Sequence, residues 1–146
     1  EVKKSVNGAH IGIANGIELN ENGIKHPLYK SKISKFNSPA FNFDEVVTLP
    51  NSSIHLASNK INKFQSIEFK SGVSKIWALQ YHPEISYDKM ISLIEFRKDK
   101  LINFRKAFNN EQEIRNHINF IKEENKVSDK NFRMFELKNW LDFITN

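Results

Sequence analysis

The chain has 146 residues, 39% of them hydrophobic and 12% aromatic, no cysteine, and a formal charge of +5. That length suits one domain with a real core, and the apolar share excludes a wholly disordered chain. The lack of cysteine excludes disulfide frameworks and thiolate metal sites, and the lysines are scattered rather than blocked, so no nucleic-acid partner is expected. No apolar run is long enough to cross a bilayer and no signal core is present, so no membrane partner and a cytoplasmic location are expected. The first residue is Glu1, not Met, with no recognisable targeting segment, and a fragment is therefore expected.

Taken in order, His10 to Leu19 carries apolar residues at odd positions and reads as a half-buried strand bent at a glycine. Asn20-Glu21-Asn22-Gly23 reads as a turn, and His26-Pro27-Leu28-Tyr29 opens a short turn or helix. Phe41 to Leu49 reads as strand and loop, closed by Pro50-Asn51-Ser52, and Ile54 to Ser58 as a short strand. Phe64–Phe69 and Lys75–Tyr81 flank Ser71-Gly72 as a hairpin. The period then turns helical through Met90, Ile91, Leu93, Ile94, Leu101, Ile102 and Phe108. Asn110 with Glu113 resembles a capping box opening a helix that buries Ile114, Ile118 and Ile121. Ser128 is expected to cap a last helix whose inner face is Leu137, Trp140, Leu141 and Ile144.

The most informative stretch is Trp77-Ala78-Leu79-Gln80-Tyr81-His82-Pro83-Glu84. On an extended backbone positions i and i+2 share a side, so His82 and Glu84 are expected to project together from a strand end, with Pro83 stiffening the link. A carboxylate beside a histidine fixes the imidazole tautomer and stabilises its cation, which makes two members of a nucleophilic triad. The third member, the nucleophile, has no candidate cysteine in this chain.

Several segments in sequence resemble the second half of a class I glutamine amidotransferase domain. They are Ile11-Gly12-Ile13 with Glu18-Leu19, His26-Pro27-Leu28-Tyr29-Lys30, Asp44-Glu45-Val46 with Leu49-Pro50, Leu56-Ala57-Ser58-Asn59, Phe64-Gln65-Ser66 and Leu79 to Glu84. Glu136-Leu137-Lys138-Asn139-Trp140-Leu141 resembles the closing helix of the GMP-synthase-like subgroup. The resemblance implies an α/β fold: the later strands and hairpin of a mixed sheet flanked by helices, then an all-helical C-terminal extension. Residues 1–98 would be the portion of the amidotransferase domain and 99–146 the extension. A nucleophile elbow, Gly-x-Cys-x-Gly, is expected upstream of Glu1.

The same resemblance implies hydrolysis of the glutamine side-chain amide to glutamate and ammonia. His82 would take the thiol proton and deliver it to the leaving ammonia, and Glu84 would orient His82. Phe41 and Asn42 occupy the loop whose backbone holds the substrate's α-amino and carboxylate groups, with Asn42 where many members have histidine; Asn cannot carry the proton. Glutamine is the implied substrate and an ammonia-accepting synthase the implied partner. No cofactor is expected, and His10, His26, His55 and His117 lack metal-ligand spacing and are expected in structural roles. The alternatives are a γ-glutamyl amide hydrolase of the same fold, a non-catalytic binding or regulatory relative, and a self-contained α+β interaction domain. On the first reading the isolated chain would be inactive, because it lacks the nucleophilic cysteine, and poorly soluble, because it would expose an unpaired sheet edge.

Overall fold

A computed structural model describes residues 1–145. The chain runs through β1 (Val2–Lys4), β2 (His10–Ile11), β3 (Ala14–Leu19), α1 (Glu21–Lys25), a 3-10 turn (Pro27–Tyr29) and β4 (Lys35–Ser38). It continues through β5 (Phe41–Asn42), β6 (Asp44–Val46), β7 (Ile54–Ser58), β8 (Ser66–Ser71) and β9 (Ser74–Leu79). Helices follow: α2 (Tyr87–Phe96), a π-helical turn (Lys100–Phe104), α3 (Glu111–Val127), α4 (Lys130–Arg133) and α5 (Phe135–Thr145). The main sheet has the order β4-β3-β7-β8-β9 and every pairing in it is antiparallel. β1 pairs with β6 and β2 with β5 in two small antiparallel ladders. Strands flanked by helices, with the helices last, give the expected α/β class.

The expected strand from His10 to Leu19 is two strands, because Gly12 breaks it at φ +86°. A Cβ at Gly12 would lie 2.6 Å from Ile121 Cδ1 and 2.8 Å from Ile94 Cδ1, side-chain ends that could give way, so it is the positive φ that favours glycine where the chain crosses under α2 and α3. The expected turn at Asn20–Gly23 is the start of α1: Asn20 Oδ1 accepts from the Gly23 N–H at 2.9 Å. Gly23 is required there too, since a Cβ would fall 2.1 Å from the Leu56 carbonyl oxygen.

Two apolar clusters hold the elements together. Ala14, Ile17, Leu19, Leu28, Tyr29, Phe36, Leu56 and Tyr81 form one with the sheet and the 3-10 turn. Ile11, Ile13, Tyr87, Ile91, Ile94, Leu101, Ile114, Ile118 and Ile121 form the other, under α2 and α3. The Asn110 cap is as expected, accepting from Glu113 N–H at 3.0 Å, while Glu113 reaches back to the N–H of Asn109 rather than of Asn110. Helical spacing beyond α2 gives way to the π-helical turn, and Phe108 lies past it.

The C-terminal helices depart further from expectation. Ser128 ends α3, and Asp129 is the cap of α4, accepting from the Asn131 N–H at 2.7 Å. The buried residues of α5 are Glu136 and Asn139, whereas Trp140, Leu141 and Ile144 are 45%, 51% and 56% exposed. The surface that α5 meets includes main-chain carbonyls, with Asn139 Nδ2 donating to Leu28 O and Lys30 O at 2.9 Å each, and the Lys32 ammonium and Tyr81 hydroxyl, which both reach Glu136. A polar surface needs hydrogen-bonding partners, so polar residues turn inward.

Candidate active site

β9 ends at Leu79, short of the motif. Residues 82–85 form a turn closed by the Ile85 N–H to the His82 carbonyl at 3.2 Å. The expected strand-end alternation is therefore not what joins His82 to Glu84; the turn is. Within it His82 Nδ1 meets Glu84 Oε1 at 2.8 Å. A proton on Nδ1 donated to the carboxylate leaves Nε2 with its lone pair, the tautomer a general base needs. Nε2 makes no hydrogen bond among the described residues, and the two side chains are 41% and 48% exposed. The His82 N–H donates to the Pro39 carbonyl at 2.7 Å, which ties the turn to the segment entering β5.

That tie brings the second predicted group alongside. Asn42 Nδ2 donates to Gln80 Oε1 at 2.6 Å and to Asp44 O at 3.0 Å. Asn62 Nδ2 donates to the same Gln80 oxygen at 3.0 Å, so Gln80 couples β5 to the motif two residues before His82. Asn42 Oδ1 is buried and unpartnered among the described residues. Phe41 stacks edge-on with Phe43 at 6.0 Å, and the Arg97 guanidinium lies 5.4 Å from its ring centre. Phe41, Asn42, Asp44, Arg97, Lys100 and Arg105 border a hollow of about 270 Å³. A larger cleft, about 1070 Å³, lies against His10, Asn15, Lys60, Arg105 and His117, and neither His82 nor Glu84 lines it.

The other four histidines are all engaged. His26 Nδ1 accepts from the Leu28 N–H at 3.1 Å, so its Nε2 proton goes to Glu68 Oε2 at 2.9 Å. Burial raises the Glu68 pKa, but hydrogen bonds from His26 and Trp77 and the charge of Lys75 outweigh it, and the net shift is downward. His55 Nε2 meets Ala57 O at 2.9 Å and His117 Nε2 meets Ile11 O at 2.6 Å. His10 is buried, with Nε2 2.7 Å from Gln65 Nε2; burial lowers its pKa to about 4, against a backbone bond to Ile13. Among the described residues no group of three His, Cys, Asp or Glu side chains is arranged to hold a metal ion. No helix among them is long and apolar enough to cross a membrane.

Sequence reasoning missed the groups that hold the motif from behind. The Tyr81 hydroxyl donates to Glu136 Oε1 at 2.8 Å and, its one proton so used, accepts from the Tyr29 hydroxyl at 2.8 Å. Glu136 Oε2 takes the Lys32 ammonium at 2.7 Å. Burial raises both tyrosines' pKa and lowers that of Lys32, the Glu136 charge opposing the last shift. An isolated glutamate inside an apolar-spaced helix was the only available signal.

No protein-family model matches the chain. A γ-glutamyl-L-1-hydroxyisopropylamide hydrolase from a Pseudomonas species is 32% identical over 146 residues, which covers 90% of this chain and 49% of that protein. A glutamine amidotransferase from Thermotoga maritima superposes with a TM-score of 0.66 at 18% identity, over 100% of this chain and 55% of its own. The structure of SMU.1228c superposes with a TM-score of 0.69 at 18% identity, over 100% of this chain and 56% of its own. The chain spans about half the length of each of these relatives. At that identity the structural likeness is one of fold, and this chain has the fold of about half of a glutamine amidotransferase-like structure.

Proposed function

We propose that this chain is the His-Glu-bearing portion of a class I, GMP-synthase-like amidotransferase that hydrolyses the side-chain amide of glutamine. Residues 1–98 belong to the amidotransferase domain and 99–146 form its helical extension. The nucleophile is a cysteine thiolate upstream of Glu1, which attacks the amide carbon. His82 Nε2 takes the thiol proton and passes it to the departing ammonia, leaving a thioester that water cleaves to glutamate. Glu84 holds the Nδ1–H tautomer and stabilises the imidazolium. Phe41 and Asn42 contribute backbone to the glutamine-binding loop, which the bond from His82 N–H to Pro39 O keeps beside the turn. An ammonia-accepting synthase is the partner of this reading.

The observation that supports it most is the 2.8 Å contact between His82 Nδ1 and Glu84 Oε1, with Nε2 unengaged among the described residues. A second reading, hydrolysis of a substituted γ-glutamyl amide with no ammonia acceptor, is favoured by the name of the Pseudomonas relative.

The test is glutamate release by the protein with its upstream sequence, from glutamine and from a γ-glutamyl alkylamide. His82→Ala lowers kcat about 10³-fold and Glu84→Gln about 10²-fold. Faster turnover of glutamine supports the first reading and faster turnover of the alkylamide the second. Release from neither substrate overturns both and leaves a binding relative.

A further inference from the structure

The turn that carries His82 and Glu84 is gripped on both sides by the C-terminal helices. Arg133, 9% exposed at the end of α4, donates through Nη1 to the Pro83 carbonyl and, at 2.8 Å, to the Ile85 carbonyl. These two carbonyls bracket Glu84. Three residues further along, Glu136 takes the Tyr81 hydroxyl proton at 2.8 Å, immediately before His82 in the chain. The junction of α4 and α5 therefore holds the main chain after the histidine and the side chain before it. Lys32 locks this arrangement from the far side, donating to Phe132 O at 3.2 Å and to Glu136 at 2.7 Å.

The dyad needs such a hold. Among the described residues the Glu84 carboxylate has His82 as its one hydrogen-bonding partner, and it is half exposed. Its aim at Nδ1 is therefore set by the backbone of the turn rather than by neighbouring side chains. A turn with two carbonyls on one donor group cannot rotate its Pro83-Glu84 peptide without breaking a bond to a buried guanidinium. Arg suits the task because its fork presents several donors in a fixed plane and stays charged at any working pH.

We infer that Arg133 is a positioning residue for the His82–Glu84 pair, so that the helical extension is part of the catalytic apparatus rather than an appendage to it. The inference rests on the hydrolase reading for its kinetic consequence, while its structural consequence stands apart from that reading. A group displaced by about 1 Å from its working geometry loses on the order of 10²-fold in rate. Without the clamp Glu84 leaves Nδ1, and the imidazolium formed during turnover loses its carboxylate.

The experiment compares Arg133→Met and Arg133→Lys in the protein with its upstream sequence, measuring kcat, KM, the pH profile of kcat and the ¹⁵N signals of the His82 ring. The expected result for Arg133→Met is a kcat about 10- to 100-fold down, KM within about 2-fold, and a changed pH profile. The ring signals change from one Nδ1–H tautomer to a mixture, and Arg133→Lys, with one donor group kept, recovers part of each effect. A merely structural role would lower the amount of folded enzyme and leave the pH profile and tautomer alone. If His82→Ala is inactive while Arg133→Met keeps wild-type kcat and a single tautomer, the clamp is overturned. If the wild type hydrolyses no amide, the hydrolase reading has failed, and the ring signals alone decide the clamp. Should Arg133→Met not fold, Arg133→Lys carries the same readouts, with an unchanged tautomer and pH profile counting against the proposal.

Discussion

The two helical packs of this molecule hold their neighbours by opposite means. α2 and α3 grip through branched aliphatics: Ile91, Ile94, Ile114, Ile118 and Ile121 are buried against Ile11 and Ile13 across the glycine at position 12. α4 and α5 grip through hydrogen bonds, with Arg133, Glu136 and Asn139 inward and Trp140, Leu141 and Ile144 half exposed. An apolar face tolerates sliding, because dispersion and burial are non-directional. A polar face ties particular atoms to particular partners, and here those atoms belong to the segments before and after His82 and to the Leu28–Lys30 turn. The packing that acts through apolar burial and the packing that ties down particular atoms are therefore on different helices.

The polar pack should break hardest when half of its ion pair is removed. Lys32 and Glu136 have side chains 1% exposed each. Lys32→Met leaves a buried carboxylate without its cation and costs about 4 kcal/mol in urea unfolding of the full protein, while Lys32→Met with Glu136→Gln recovers more than half. A loss below 1 kcal/mol for the single variant would remove the contrast between the two packs.

The apolar pack should respond less and without orientation. Ile118→Ala costs about 3 kcal/mol through lost burial and a residual cavity, and leaves kcat of the folded enzyme unchanged. A kcat effect as large as the one expected for Arg133→Met would show that the isoleucine pack orients the site as well.

Acid sharpens the same side. β2, which α2 and α3 cover, carries His10, whose pKa burial lowers from 6.5 to about 4. The unfolded chain takes up a proton near pH 6.5 that the folded chain refuses until about pH 4, so stability falls as pH drops through that window. The expected loss is about 2 kcal/mol between pH 7 and pH 5, and His10→Gln flattens that limb in unfolding midpoints measured across it. A limb that persists in the variant would assign the acid sensitivity to other groups.

Much of this was legible in the residues. The hairpin across Ser71-Gly72, the cap at Asn110 and the buried face of α3 follow from turn chemistry, capping and period, which act over a few residues. The pairing of His82 with Glu84 was legible as well, though the mechanism differed: a turn with an Ile85-to-His82 hydrogen bond makes it, not strand alternation. Proline next to the histidine was the signal for that turn. The face of α5 was misread because hydrophobic spacing assumes an apolar neighbour, and its neighbours are carbonyls and an ammonium.

By itself the sequence determined the hairpin across Ser71-Gly72, the Asn110 cap and the closeness of His82 to Glu84, since each depends on side chains close together in the chain. The α/β class and the proposed proton roles of the pair came from the family resemblance of the ordered segments. Only the tertiary structure decided what holds them. Lys32 to Glu136, Tyr81 to Glu136 and Arg133 to Pro83 and Ile85 join residues separated by 48 to 104 positions. Such pairings are set by where the sheet and the helices bring distant backbone groups together, and each buried polar atom must then find its partner there.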